Sequence, residues 1–209
     1  MTEFARLTVI EFIDALGSDA PTPGGGTAAA MAGAMGASLM EMVAALTLTR
    51  DKYSESHASV RPIAQAAASA RLEFLRLARE DSEAYELVVA ARRLPKETDP
   101  QKAARVEALA IANRRATEVP LRTAQLAARV LASLPELVDK GNPSAASDAG
   151  SAALLLEAAA EGALLNVGVN LSGISDMPFV AKMQGETAQI QNDTQRLRAQ
   201  ILATVRKRF

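Results

Sequence analysis

Apolar residues recur every three or four positions in successive stretches of this chain, the spacing of one face of an α-helix. Leu7 to Leu16 is the first such stretch, with Val9, Phe12, Ile13 and Leu16 on one face and Thr8 and Glu11 in capping-box register. A second helix is expected from about Gly25 to Thr49. Its small residues Gly26, Ala30, Gly33 and Ala37 form a stripe that lets another helix backbone come close, within the chain or across a subunit contact. Arg50 to Ser59 is polar, and its His57 reads as a solvated helix-start residue. From Val60 a heptad-like seam runs through Ile63, Ala67, Ala70, Phe74, Leu77, Asp81, Ala84, Val88 and Ala91, with Pro62 in the first turn.

After the Leu94–Pro100 break, Gln101 to Glu118 reads as helix, and Pro120 interrupts or kinks it. A new apolar face follows through Leu121, Ala124, Ala128 and Leu131, and Leu134-Pro135 opens a short helix ending at Lys140-Gly141. Gly141-Asn142-Pro143 is a turn signal, and Ser144 is placed to cap a helix on which Asp148, Ala152, Leu155, Ala159 and Asn166 share a face. A turn over 171–176 leads to the last helix, Pro178 to Arg206, with a stripe of Phe179, Met183, Ile190, Leu197, Ile201 and Val205.

Three features depart from plain helix packing. Asp81 is the one carboxylate on an otherwise apolar seam, and such a burial costs several kcal/mol unless the charge is paired or hydrogen-bonded. Either an arginine from another helix neutralises it or a ligand site does. Asp148 lies near a helix start, where the dipole favours its ionised form. Asn166 is 18 residues further on, about 27 Å along a straight helix, so the two do not touch one small group within a chain. Third, Pro21-Thr22-Pro23-Gly24-Gly25-Gly26-Thr27 combines stiff prolines with free glycines ahead of a helix N-terminus, with Thr27 placed to cap it. Free N–H groups there suit an anionic or carbonyl-bearing ligand; a loop feeding a tightly packed core helix is the plainer alternative.

Composition sharpens this picture. Aromatic residues are 3% of the chain while apolar residues are 49%, much of it alanine, which favours packed helices over sheet. The length of 209 residues suits one domain spanning residues 1–209. A net charge of −1 gives no reason to expect a nucleic-acid or anionic-membrane partner. Ala20 to Met40 is uncharged, but its first third is the Pro/Gly loop and the rest is mostly Ala and Gly, so a membrane span is rejected. Thr2-Glu3-Phe4-Ala5-Arg6 lacks the form of a secretory signal, and a cytoplasmic location is expected. With no cysteine and one histidine, Ser-His-Asp catalysis and a Cys/His zinc site are disfavoured. Carboxylate acid–base chemistry, lysine and backbone donors remain.

The ordered set Pro21–Ala30, Gly33-Ala34-Met35-Gly36-Ala37, Met42-Val43, Leu46-Thr47, Lys52-Tyr53, Asp81 with Ala84-Tyr85, Leu94-Pro95-Lys96-x-Thr98, Val119-Pro120-Leu121, Gly141-Asn142, Ser147–Gly150 and Asn166-x-x-x-Asn170 resembles the cyclodeaminase/cyclohydrolase family of folate enzymes. Ala45 departs from it, since the family often has an amide side chain there. The resemblance implies an all-α bundle of long antiparallel helices, a homodimer with the folate site near the subunit contact, and no permanently bound cofactor or metal. It implies methenyltetrahydrofolate cyclohydrolase activity, with formiminotetrahydrofolate cyclodeaminase as the alternative. A non-catalytic helical dimer that binds a metabolite is the alternative from another class. It makes Asp148 and Asp81 the expected catalytic carboxylates, Asp148 as the base. Pro23, Gly24, Gly25 and Gly26 become the pterin-side loop, and Lys52, Tyr53, Asn142 and Ser147 ligand contacts, Lys52 toward the glutamate carboxylates. Asn166 and Asn170 are either amide donors to the pterin or helix-packing residues.

Overall fold

Six α-helices make up the chain: α1 (Val9–Leu16), α2 (Gly25–Leu48), α3 (His57–Arg92), α4 (Asp99–Lys140), α5 (Ala146–Leu171) and α6 (Met177–Arg206), with no strand among the described residues. This computed structural model describes residues 4–208. The Thr2-Glu3 part of the N-terminal reading lies outside the described residues. The helix α2 packs on α3 and α5, α4 also packs on α3 and α5, and α6 lies against α5 and α4. Gly26 faces Asp81 and Gly33 faces Phe74, so α2 and α3 run antiparallel; Gly25 facing Asn166 and Gly36 facing Leu156 set α2 antiparallel to α5 in the same way.

The α3 seam packs as its spacing predicts. Ile63, Ala67, Ala70, Phe74, Leu77, Ala84, Val88 and Ala91 are all buried. Phe74 is fully enclosed, a burial that contributes roughly 1.5–3 kcal/mol. Its ring sits where a Cβ on Gly33 would be, 2.5–2.7 Å from the ring atoms. The small-residue stripe of α2 is therefore a close contact within the chain. Gly26, Ala30, Gly33 and Ala37 are buried against neighbouring helices and are not a subunit surface. The helix α2 and the segment Pro143–Leu171 are long and apolar enough to cross a bilayer, a test that core helices also pass. In the fold the two helices pack against each other, and each keeps part of its surface exposed.

The largest correction concerns α4, which runs unbroken for 42 residues through both Pro120 and Pro135. A proline inside a helix leaves the carbonyl four residues earlier without its donor. For Pro120 that carbonyl belongs to Ala116, and the side-chain amide of Asn170 donates to it at 2.6 Å. A residue 54 positions away thus supplies the missing hydrogen bond. Smaller corrections follow the same logic of helix ends. The third helix starts at His57, which puts Pro62 beyond the first turn. Ala145, not Ser144, is the N-cap of α5, because a 3₁₀ turn over Pro143–Ala145 precedes it. Thr8 and Glu11 form the expected capping box.

Candidate active site

The helix α2 begins at Gly25 with Gly24 as N-cap, a residue with no side chain to satisfy the first N–H groups. Thr27 is therefore inside the first turn instead of at its cap. Another helix supplies a partner here: Asp81 of α3 accepts a hydrogen bond from the Thr27 hydroxyl at 3.0 Å, with its carboxylate beside the first turn of α2. Gly26 makes the approach possible, because a Cβ there would overlap the carboxylate. No basic side chain among the described residues pairs with Asp81. Burial pushes its carboxyl above the ordinary carboxylate range, and hydrogen bonding from Thr27 offsets part of that.

Its neighbour in sequence is the contrast. Glu80 is 8% exposed and is gripped by Arg122 at 2.6 Å and by Arg76. The arginines of this part of the bundle serve Glu80, and Asp81 faces the other way, into a cavity of about 250 Å³. Gly24, Gly25 and Gly26 form one side of the cavity, Tyr85 and Asp81 another, and Asn166 and Asn170 a third. Each asparagine donates one amide hydrogen to a backbone carbonyl, Asn166 to Gly162 at 2.8 Å and Asn170 to Ala116. Their carbonyl oxygens have no partner among the described residues. The cavity thus offers a carboxylate and two amide oxygens, an acceptor-rich lining suited to a ligand that is cationic or rich in N–H groups.

A second polar cluster lies at the other end of α2, about 36 Å away along a 24-residue helix. Tyr53 donates its hydroxyl to Asn142 Oδ1 at 2.9 Å, and the Ser144 N–H donates to the same oxygen at 3.1 Å. The Asn142 N–H donates to the Thr47 hydroxyl at 2.9 Å. Lys52 lies over the Tyr53 ring, 4.7 Å from its centre. This network ties the end of α2 to the α4–α5 junction. Ser147 is exposed and Asp148 half-buried in the first turn of α5, at this end. His57 sits beside the network, with Nε2 3.3 Å from the Thr47 carbonyl oxygen. No group of three metal-ligating side chains occurs among the described residues.

The family profile of formiminotransferase-cyclodeaminase matches residues 8–189. The chain belongs to this family. It is 37% identical to a methenyltetrahydrofolate cyclohydrolase of Methylorubrum extorquens, over 96% of this chain and 97% of that protein. It is 32% identical to the formimidoyltransferase-cyclodeaminase of Sus scrofa over 91% of this chain, but spans only 35% of that longer protein. Among solved structures, a formiminotetrahydrofolate cyclodeaminase from Thermotoga maritima superposes with a TM-score of 0.87 at 30% identity, covering 97% of this chain and 98% of that one.

Within this family fold, the structure splits the residues singled out from the sequence. Gly24, Gly25, Gly26, Asp81, Asn166 and Asn170 meet at one cavity, with Pro23 buried beside it. Lys52, Tyr53, Asn142, Ser147 and Asp148 gather at the opposite end. Within one chain Asp148 does not reach the cavity that Asp81 lines. Asn166 and Asn170 also serve helix packing, so their amide donors are partly committed. Sequence reasoning missed Tyr85 as a wall of the cavity, and Ser82, whose hydroxyl lies 3.0 Å from that of Thr27. Both stand within one turn of Asp81 on α3, which is the signal that would have found them.

Proposed function

We propose that this chain is a methenyltetrahydrofolate cyclohydrolase, with Asp81 as the carboxylate at the reacting carbon. The observation that carries the reading is a half-buried, desolvated carboxylate with no cationic partner among the described residues, lining a cavity at a helix N-terminus. A buried uncompensated charge is costly, and a cationic amidinium supplies the missing partner. Near-full-length similarity to a relative named methenyltetrahydrofolate cyclohydrolase supports the same choice.

The chemistry asks little beyond placement. Water attacks the amidinium carbon, and one of its protons passes to the carboxylate. The resulting neutral adduct collapses: the carbon–oxygen double bond forms, one carbon–nitrogen bond breaks, and its electron pair stays on nitrogen. The carboxyl group returns its proton to that nitrogen as the adduct's hydroxyl proton is lost, and the net products are formyltetrahydrofolate and one proton. The carboxylate also opposes the cation's charge during approach. An upward-shifted carboxyl suits both halves of this cycle, since it holds a proton more readily than an ordinary aspartate.

The cavity of about 250 Å³ is below the ~300–1,000 Å³ usual for small-molecule sites, so a folate extends beyond it. We infer a homodimer that provides the rest of the enclosure. Its support is an uncovered apolar face on α2 and α5, where Met35, Met42, Leu154, Leu165 and Val169 are exposed. The helix α1 carries further uncovered apolar surface: none of its residues is buried, and Val9 and Ile10 are about three-quarters exposed. In this reading any reach of Lys52 or Asp148 to a ligand in the Asp81 cavity comes from the second copy, and the reaction needs neither.

The second reading is formiminotetrahydrofolate cyclodeaminase, favoured by the fold match to the Thermotoga maritima protein of that name. There the same carboxyl protonates departing ammonia as the ring closes. Mixing the purified protein with each folate decides. Loss of methenyl absorbance identifies the cyclohydrolase. Ammonia release with gain of that absorbance identifies the cyclodeaminase. Turnover of neither substrate leaves a non-catalytic binding protein.

A further inference from the structure

Among the described residues Asp81 is held by a single side chain, and that side chain has more partners than one hydroxyl hydrogen can serve at once. Thr27 is fully buried, and its Oγ1 lies 3.0 Å from Asp81 Oδ2, 3.0 Å from Ser82 Oγ and 3.4 Å from the Ala78 carbonyl oxygen. Ser82 is 5% exposed and makes no other side-chain hydrogen bond among the described residues. A hydroxyl donates once and accepts twice. With Asp81 ionised, Ser82 donates to Thr27 and Thr27 donates to the carboxylate. With Asp81 protonated on Oδ2, the carboxyl donates to Thr27, whose hydrogen turns to the Ala78 carbonyl while Ser82 still donates to it. Every hydrogen is matched in both arrangements.

We propose that Thr27 is a positioning residue for the reaction, a buried hydroxyl that rotates between Asp81 and the Ala78 carbonyl and so keeps Asp81 hydrogen-bonded before and after it takes a proton. Ser82 is the outer donor of this relay, and hydroxyls in series polarise one another. The proposal rests on the reading of Asp81 as the acid–base carboxylate. It goes beyond that reading in assigning how the carboxylate stays in place while its charge changes.

The surroundings leave few other groups to move the titration. Among the described residues the cavity that Asp81 lines carries no basic side chain and no other carboxylate: α2 gives it glycines, α5 the neutral Asn166 and Asn170, and α4 Ala116. On its own helix, Tyr85 shares the cavity, Glu80 is turned to Arg76 and Arg122, and Arg79, Glu83 and Glu86 line a separate cavity with residues of the N-terminal segment.

The experiment compares Thr27→Val, which keeps the shape and removes the hydroxyl, with Thr27→Ser, which restores it. Two readouts are taken: kcat/KM against pH with methenyltetrahydrofolate, and the ¹³Cγ titration of Asp81 by NMR in the ligand-free protein. Loss of one charge-assisted hydrogen bond should raise the Asp81 midpoint in Thr27→Val by about 1 pH unit. At pH values below that midpoint, kcat/KM falls by about tenfold. Thr27→Ser should titrate like the parent. Ser82→Ala, which removes only the outer donor, should shift the midpoint the same way by less, and it carries the test should Thr27→Val fail to fold. An unchanged midpoint in folded Thr27→Val, an equal shift in Thr27→Ser, or no shift in Ser82→Ala where Thr27→Val is unfolded, would overturn the proposal. Absence of turnover in the parent protein would instead overturn the assigned activity, and the NMR titration would still decide the role of Thr27.

Discussion

The two ends of α2 are built from similar residues and differ in what is left over. At the C-terminal end, Tyr53, Asn142, Ser144 and Thr47 satisfy one another, and the result is a joint between α2, the turn after it and the start of α5. At the N-terminal end, three glycines replace side chains, and Asp81 faces a cavity with only Thr27 to hold it. Glu80 and Asp81 repeat the contrast over one residue: two arginines neutralise the first, none the second. Polar groups that fully match each other stabilise a fold. Polar groups left with spare capacity around a cavity are where a ligand completes the match.

The comparison is broken most severely by Asp81→Asn. It keeps the shape and removes the base, so kcat with methenyltetrahydrofolate should fall by about 10²–10⁴-fold. Stability should move the other way. A carboxyl raised on folding keeps its proton in the folded state at pH values where the unfolded chain has lost it. Ionisation therefore lowers stability as pH rises from the ordinary carboxylate value through the raised one. Above that window Asp81→Asn should melt at a higher temperature than the parent, and below the ordinary value the difference should vanish. For the same reason kcat/KM of the parent should fall on the acid side with a midpoint above the ordinary aspartate range.

Next in size is a pair of glycine substitutions. Gly26→Ala puts a methyl group into the Asp81 carboxylate, and overpacking of this kind costs roughly 1–3 kcal/mol. Activity should drop with it, because the carboxylate has to move. A Cβ on Gly24 meets nothing within 4 Å, so Gly24→Ala should lower the melting temperature by less than Gly26→Ala, by about the cost of alanine at an N-cap. Equal effects from the two would mean that the close approach of α2 to Asp81 is unimportant.

At the opposite end the expected effects are on stability alone. Tyr53→Phe removes one donor from the buried Asn142 side chain and should cost about 0.5–1.5 kcal/mol in chemical denaturation, with kcat unchanged. The smallest effect is expected from Asp148→Asn. Its carboxylate is half-buried in the first turn of α5, and removing its charge should change stability by no more than about 0.5 kcal/mol. A large loss of rate in this variant would place Asp148 at the reacting carbon, supplied by the second copy.

The helices were readable because their cause is local. The three-and-four spacing on α3 named most of its buried residues and the position at which a carboxylate replaces an alkyl group, but not Ala78, Glu80 and Ser82 beside it. The small residues of α2 announced a close approach, but the partner that makes it, Phe74 and Asp81 of α3, is set by how two distant segments meet. The same holds for Pro120. Read locally it breaks a helix; the amide that repairs the break stands on Asn170, and nothing near the proline signals it. The candidate residues were readable as a set and not as a place. Asp81 and Asp148 look alike in sequence, each a carboxylate on an apolar face, and only the antiparallel run of α2 against α3 and α5 puts one beside the glycine loop and the other at the far end.

The most direct test of that division is amide hydrogen exchange with and without saturating formyltetrahydrofolate. The account predicts new protection at the glycine loop and first turn of α2, around Asp81, and over the last two turns of α5 at Asn166 and Asn170. Protection confined to Lys52, Tyr53 and the Asn142 turn, with none at the glycine loop, would contradict it.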